Sequence, residues 1–211
     1  MIYEIDLLDD DELKYVNNYF NHLTFKDGKI SNRTADKECL TAFDGAGYLE
    51  INTYCSKIIY DKMTLPYYVK RVSQIYYSKY EVGGRYEDHY DHALCGGVET
   101  DYSMTCFLND EYEGGELVIT IGNFETKIKL KPGKAVIYPS NLLHRVNEVT
   151  SGRRDVFCCW IQSAIKDTFM RNHIVDYGVY LNSVRGLIDP NVHSRLIRFR
   201  TNLVKQYGNL Q

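Results

Sequence analysis

Two residues on one side of an extended segment are candidate metal ligands. His89 and Asp91 are separated by Tyr90 and follow a segment typical of a β-strand. Side chains two positions apart in a strand point the same way, so one imidazole and one carboxylate are directed at one point. A second imidazole, His144, begins a later strand-like segment. Two histidines and one carboxylate form the facial triad of non-haem iron(II) oxygenases, although zinc accepts such ligands and the pattern also arises by chance.

Arg154 is a candidate anion-binding residue. It lies ten residues after His144, at the start of the last strand-like segment. The residues expected on one face of this strand are Arg154, Val156, Cys158 and Trp160. A guanidinium on an apolar inward face is costly unless it meets an anion, and its planar fork suits a carboxylate such as the distal one of 2-oxoglutarate. The alternative is a surface arginine at a turn, or one paired with a nearby acidic residue; we expect Arg154 inward and Arg153 outward.

The elements that must position these residues are mostly short strands. Strand-like segments cover residues 69–80, 102–108, 116–121, 124–130, 134–138, 144–149 and 154–162. Short turn sequences separate them, and Gly122-Asn123 between two of them predicts a tight hairpin. Many short strands joined by short turns favour a β-sandwich or jelly roll.

Helices are predicted on either side of this β-rich region. A short strand at residues 2–8 precedes an N-cap at Asp9, Asp10 or Asp11 and apolar residues at helical spacing as far as residue 23. Residues 26–44 are polar with little periodicity and predict a loop, and residues 48–63 predict a second helix. Residues 164–182 predict one helix or two, and residues 192–207 a final amphipathic helix.

Composition excludes several classes of protein. The chain has 211 residues, a net charge of −3 and no block of basic residues, so nucleic acid is not expected as the main partner. Its six cysteines show no paired spacing, which favours reduced, mostly buried thiols. No apolar run approaches the roughly 20 residues that span a membrane, and the first residues do not resemble a signal peptide. A cytoplasmic protein that does not bind membranes is therefore expected.

Several motifs, in order along the chain, resemble one family. Residues 80–91, Tyr-Glu-Val-Gly-Gly-Arg-Tyr-Glu-Asp-His-Tyr-Asp, resemble the metal-binding segment of prolyl 4-hydroxylase-type oxygenases. Residues 113–117, 131–139, 143–146, 149–154 and 160–163 are similar to the bacterial PKHD-type hydroxylases. The similarity extends from about residue 76 to residue 163 and is weaker at both ends. One departure is His92, where PKHD-type proteins usually have asparagine; we expect it to be exposed.

The resemblance implies a mainly β protein with flanking helices, built on a double-stranded β-helix, which is a cupin-like jelly roll. We expect the double-stranded β-helix core at residues 69–165. Residues 1–68 would support it with a strand and helices, and residues 166–211 would form a C-terminal helical extension. The whole is expected to be a single domain.

The resemblance also implies an Fe(II)- and 2-oxoglutarate-dependent dioxygenase. It would hydroxylate a C–H bond with O₂, release succinate and CO₂, and be supported by ascorbate. The implied catalytic residues are His89, Asp91 and His144, which bind iron, and Arg154, which binds 2-oxoglutarate. Tyr80, Ser103 and Thr105 would add contacts to 2-oxoglutarate, and Tyr86 and Trp160 would line the substrate pocket.

A prolyl residue of a peptide or protein is the substrate that the resemblance implies. Fold alone does not determine function, so three alternatives stay open at this point. They are the same chemistry on a free amino acid or other small molecule, a jelly-roll binding protein without catalysis, and a zinc hydrolase. The sequence does not predict the oligomeric state.

Overall fold

The computed structural model describes residues 2–30 and 37–209 of the chain. The strands in these ranges are β1 (Tyr3–Asp6), β2 (Lys26–Asp27), β3 (Lys37–Glu38), β4 (Leu40–Ala42), β5 (Val69–Val72), β6 (Tyr76–Tyr80), β7 (Arg85–His89), β8 (Leu94–Cys95), β9 (Val98–Glu99), β10 (Tyr102–Phe107), β11 (Tyr112–Gly114), β12 (Leu117–Ile121), β13 (Phe124–Ile128), β14 (Lys134–Pro139), β15 (Leu143–Val146), β16 (Val149–Gly152) and β17 (Arg154–Ser163). The helices are α1 (Asp10–Phe20), α2 (Tyr48–Tyr67), α3 (Thr168–Ser183) and α4 (Pro190–Tyr207).

Two antiparallel sheets form the body of the protein. The larger has the strand order β1-β14-β10-β17-β6-β4-β2, and β5 pairs with a further part of β17. The smaller has the order β13-β12-β15-β7-β3. Most neighbours within each sheet, apart from β12 and β13, come from separate parts of the sequence, as in a jelly roll. The predicted fold class is confirmed: the protein is mainly β with flanking helices.

The alternation of side chains along the larger sheet separates two apolar clusters. On β10, Met104 and Cys106 face a cluster that also contains residues of α1 and α2, such as Phe20 and Ile59. The cluster on the opposite face contains residues of both sheets, such as Ile119 of β12 and Val136 of β14. Because β10 is buried on both faces, all six of its residues are buried. Its two polar residues, Ser103 and Thr105, point toward the space between the sheets.

The helix boundaries follow local chemistry. Asp9 caps α1: its carboxylate accepts from the backbone N–H of Asp11 and Glu12, and the Glu12 side chain accepts from the Asp9 N–H. This confirms one of the three predicted caps. Helix α2 runs to Tyr67, beyond the predicted end at residue 63, and it ends at Tyr68, which adopts a left-handed conformation with φ 52°.

The prediction of a loop at residues 26–44 is wrong in part. In the portion that the structure describes, β2 pairs with β4, β4 with β6, and β3 with β7. Unpaired backbone groups at a sheet edge can form hydrogen bonds with short segments that have no apolar periodicity. The hydrophobic pattern of the sequence therefore did not indicate these short strands. Residues 31–36 of this prediction lie outside the described residues.

The predicted hairpin and the predicted helix after the β-rich region are both present. Gly122-Asn123 forms the tight hairpin between β12 and β13, with φ 61° at Gly122 and Ile121 opposite Phe124. Residues 164–182 contain a single helix, α3, within the described chain. The division at residues 68 and 165 stays a prediction, although β1, β2 and β4 of the first segment join the larger sheet. Among the described residues, no helix is long and apolar enough to cross a membrane.

Candidate metal centre and the cavity around it

The three predicted metal ligands meet at one point. His89 ends β7, Asp91 follows two residues later, and His144 lies opposite His89 on the neighbouring strand β15. One ligand atom from each of the three lies within 4.8 Å of the others. The two imidazole ring centres are 4.2 Å apart, and Nε2 of His144 is 3.8 Å from Oδ2 of Asp91. This clustering is what a single metal ion requires, and it suits the iron(II) triad.

A local hydrogen bond selects the ligand nitrogen of each histidine. Nδ1 of His89 lies 2.8 Å from the backbone oxygen of Glu87, and Nδ1 of His144 lies 3.0 Å from that of Leu142. A carbonyl oxygen only accepts, so the proton of each neutral ring is on Nδ1. Nε2 is then the unprotonated nitrogen that can bind a metal. Both contacts reach two residues back along the chain.

Further side chains hold the ligands in place. The ring of Tyr86 stacks on His89, with centres 3.6 Å apart and planes at 13°. Tyr138 of β14 meets His144 edge-on at 5.2 Å. The hydroxyl of Ser103 donates to Oδ2 of Asp91. Sequence reasoning missed Tyr138, although alternation along β14 would have placed it on the same face as the core residue Val136.

Arg154 points into the protein, as predicted. The residue is 1% exposed, and its guanidinium carbon lies 4.9 Å from the ring centre of Tyr80 and 5.5 Å from that of Phe107. Its Nε is buried without a hydrogen-bond partner among the described residues. Arg153 points the other way and forms two hydrogen bonds with the carboxylate of Asp155. A buried guanidinium in this state is costly unless an anion joins it, so the site fits a ligand carboxylate.

All of the predicted site residues line one cavity of about 270 Å³. They are the metal ligands His89, Asp91 and His144, the predicted 2-oxoglutarate residues Tyr80, Ser103, Thr105 and Arg154, and the predicted substrate residues Tyr86 and Trp160. The rest of the described lining is aromatic, aliphatic, hydroxyl or thiol in character, apart from His92. His92 is exposed, as expected. The roles assigned to the residues outside the metal triad stay predictions.

Two phenols and one thiol in the cavity wall are held neutral. Burial raises the pKa of the Tyr80 and Tyr138 phenols well above the ordinary value, so both carry their protons at neutral pH. Burial, followed by the nearby charge of Asp91, raises the pKa of the Cys95 thiol to about 11. Neutral phenols are hydrogen-bond donors. The cavity therefore offers donors near Arg154 without adding negative charge.

Comparisons with known proteins agree with this geometry. Residues 75–162 match the profile of the 2OG-Fe(II) oxygenase superfamily. A PKHD-type hydroxylase from Picosynechococcus sp. is 44% identical over 117 residues, covering 54% of this chain and 53% of the relative. One from Sphingopyxis alaskensis is 32% identical over 216 residues, covering 96% of this chain and 97% of the relative. The chain thus spans about half the length of the first relative and nearly all of the second.

The fold also has solved counterparts. One is a prolyl hydroxylase from Trichoplax adhaerens, solved in complex with a peptide fragment of the hypoxia inducible factor oxygen degradation domain. The two structures align with a TM-score of 0.60 at 18% identity, covering 76% of this chain and 82% of the other. At this level of identity the likeness concerns the fold alone, and it agrees with the predicted double-stranded β-helix.

Proposed function

We propose that this chain, which belongs to the PKHD-type hydroxylases of the 2OG-Fe(II) oxygenase superfamily, hydroxylates a prolyl residue of a peptide or protein. The reaction would use iron(II), 2-oxoglutarate and O₂ and release succinate and CO₂. One observation carries the proposal: a complete metal triad and a buried arginine that has no anionic partner among the described residues line the same cavity. A zinc hydrolase or a binding protein without catalysis has no need of that arginine.

Each residue of the site has a part in this reaction. His89 and His144 would bind iron through Nε2, and Asp91 would bind it through a carboxylate oxygen. The bound metal supplies the oxidising chemistry together with 2-oxoglutarate and O₂. Arg154 would pair with the distal carboxylate of 2-oxoglutarate, and the phenol of Tyr80 would donate to the same carboxylate. The aromatic wall would exclude water from the reacting centre.

The charges of the cavity favour a residue within a polypeptide over a free amino acid. A free amino acid carries a carboxylate and an ammonium group, and each needs a partner when it is taken out of water. Arg154 is the one basic residue of the described lining besides the histidines, and the proposed role of Arg154 is to bind 2-oxoglutarate. A prolyl residue in a peptide brings no charge of its own. The Trichoplax prolyl hydroxylase, which shares the fold, was solved with a peptide.

The first test separates an oxygenase from its alternatives. Protein purified without oxygen would be supplied with iron(II), 2-oxoglutarate, ascorbate and air, and succinate would be measured. We expect iron-dependent succinate formation in the wild type and none in a His144→Ala variant. Zinc instead of iron in the anaerobically purified protein, with no succinate formed, would support a hydrolase. The absence of both a bound metal and succinate would support a binding protein. Ascorbate is expected to prolong turnover.

The second test concerns the substrate. Proline-containing peptides would be screened by mass spectrometry for the gain of one oxygen atom, and the free amino acids would be assayed in parallel. We expect the gain on a prolyl residue of a peptide, and none with free proline. Oxygen transfer to free proline alone would overturn the choice of substrate while leaving the oxygenase chemistry intact.

A further inference from the structure

Ser103 lies at the centre of the larger sheet and reaches the metal ligands of the smaller one. It is opposite Tyr138 of β14 and Trp160 of β17, and it is 3% exposed. Its hydroxyl donates to Oδ2 of Asp91. We propose that Ser103 is a positioning residue for the metal ligand Asp91 and not a binding group for 2-oxoglutarate. This inference rests on the proposed function, because it assumes that the triad binds a metal.

Asp91 needs such a partner more than the two histidines do. It lies between β7 and β8, outside the strand ladder that holds His89 and His144. Rotation of a carboxylate about its last bond is soft, and either oxygen can bind a metal. If both oxygens did so, Asp91 would occupy an extra position, and three open positions are needed for 2-oxoglutarate and O₂. A donor fixed to one oxygen restrains this rotation.

The hydrogen bond also determines which oxygen faces the metal site. Oδ2, which accepts from Ser103, is the oxygen that lies 3.8 Å from Nε2 of His144. The hydroxyl therefore holds the negative charge next to the position that the metal would take. Outer hydrogen bonds of this kind orient metal ligands, and their loss typically costs about 10–100-fold in metal affinity.

The hydroxyl of Ser103 is committed to Asp91. A serine hydroxyl has one proton, so while it donates to Asp91 it has none to donate to a ligand carboxylate. Its position is fixed, because β10 pairs with a strand on each side and its neighbours Met104 and Tyr102 are buried. Thr105, two residues further on the same face, interacts with Tyr138 instead. Ser103 and Thr105, which alternation places on the same face, thus have different partners, Asp91 and Tyr138.

The test measures metal affinity and 2-oxoglutarate affinity separately. The variants are Ser103→Ala, which removes the donor, and Ser103→Thr, which keeps it. Ser78→Ala is the matched control, because Ser78 lines the same cavity, is equally buried and contacts Thr41 rather than a metal ligand. Binding of Mn(II) to the metal-free full chain would be followed by electron paramagnetic resonance. Binding of 2-oxoglutarate would then be titrated at saturating Mn(II) without oxygen.

We expect Ser103→Ala to weaken Mn(II) binding about 10–100-fold, with 2-oxoglutarate binding to the Mn(II)-saturated protein unchanged. Ser103→Thr and Ser78→Ala should bind Mn(II) as the wild type does. If Ser103→Ala does not fold, Ser103→Cys, which keeps the volume with a weaker donor, should show the same loss in smaller degree. Unchanged Mn(II) binding in the folded variant would overturn the proposal, as would a loss confined to 2-oxoglutarate. A wild type that binds no Mn(II) would instead refute the proposed function.

Discussion

Replacing Arg154 with methionine should remove the response to 2-oxoglutarate without harming the fold. Arg154 is 1% exposed, and its guanidinium faces the rings of Tyr80 and Phe107 and has an Nε with no partner among the described residues. Substituting a buried charge with an apolar side chain of similar size is often neutral or stabilising, by about 1–4 kcal/mol. We therefore expect the ligand-free variant to unfold at the same temperature as the wild type or at a higher one.

The wild type should gain stability from 2-oxoglutarate, which binds only the folded state. At a ligand concentration of 100 times Kd the gain is about 2.7 kcal/mol. In a chain of this size, each kcal/mol raises Tm by about 2–4 °C, so the expected rise is about 5–11 °C. The variant should show no rise. Arg154→Lys keeps the charge but loses the planar fork, so an intermediate rise is expected.

Thermal unfolding of the Mn(II)-loaded protein without oxygen would measure these shifts. A control ligand, 2-oxobutyrate, keeps the end that would chelate the metal but lacks the distal carboxylate. It should stabilise the wild type and Arg154→Met equally. A rise in Tm of Arg154→Met with 2-oxoglutarate equal to that of the wild type would contradict the proposed role of Arg154. A decrease of more than about 3 kcal/mol in the free energy of unfolding of ligand-free Arg154→Met would also contradict this role, because that is the cost of breaking a buried ion pair.

Three further predictions concern the metal, helix α3 and alkaline pH. His144→Ala should abolish Mn(II) binding, whereas His92→Ala, an exposed histidine at the same cavity, should bind as the wild type does; equal binding by the two variants would contradict the triad. Arg171→Ala, which breaks a buried ion pair between α3 and Asp101, should cost about 3–5 kcal/mol in urea unfolding; a loss below about 1 kcal/mol would mean that the pair is not structural. Burial raises the pKa of the Cys55 thiol to about 12, so native Cys55 stays protonated at pH values where the unfolded thiol, with a pKa of about 8.5, has ionised. Stability should be complete below pH 8 and fall above it, with Cys55 contributing a loss of about 2 kcal/mol at pH 10, and a Cys55→Ala variant with the wild-type pH slope would contradict this.

Strand alternation and the motif resemblance together predicted the metal triad and Arg154. Alternation continued past His89, the last residue of β7, predicts that Asp91 points the same way. Alternation along β17 places Arg154 on one face with Val156. That His144 lies opposite His89 depends on the pairing of β7 with β15. The sequence does not contain that register, but the motif resemblance implied that the three ligands meet.

The partner of Ser103 could not be predicted from alternation. Alternation places Ser103 and Thr105 on one face of β10, pointing inward, and both do line the cavity. Which group each one meets depends on the path of the segment between β7 and β8, which carries Asp91 outside any regular strand. Such a path is determined by tertiary contacts. The two short strands within residues 37–42 were missed for a related reason, since they exist only because β6 and β7 offer unpaired edges.

The site depends on the distance between the two sheets, and this relates stability to the proposed activity. The histidines lie on β7 and β15 of the smaller sheet, whereas Arg154 and Tyr80 lie on β17 and β6 of the larger one. A 2-oxoglutarate molecule held at both ends must bridge the gap, so its length has to match the spacing. The apolar cluster between the sheets, which includes Ile119 and Val136, sets that spacing. Because protein interiors are close-packed, removing side-chain volume from the cluster shifts the two sheets relative to each other. Truncating Ile119 should therefore weaken 2-oxoglutarate binding more than Mn(II) binding, because the ligand atoms of the triad lie within 4.8 Å of one another whereas 2-oxoglutarate must also reach Arg154 on the other sheet.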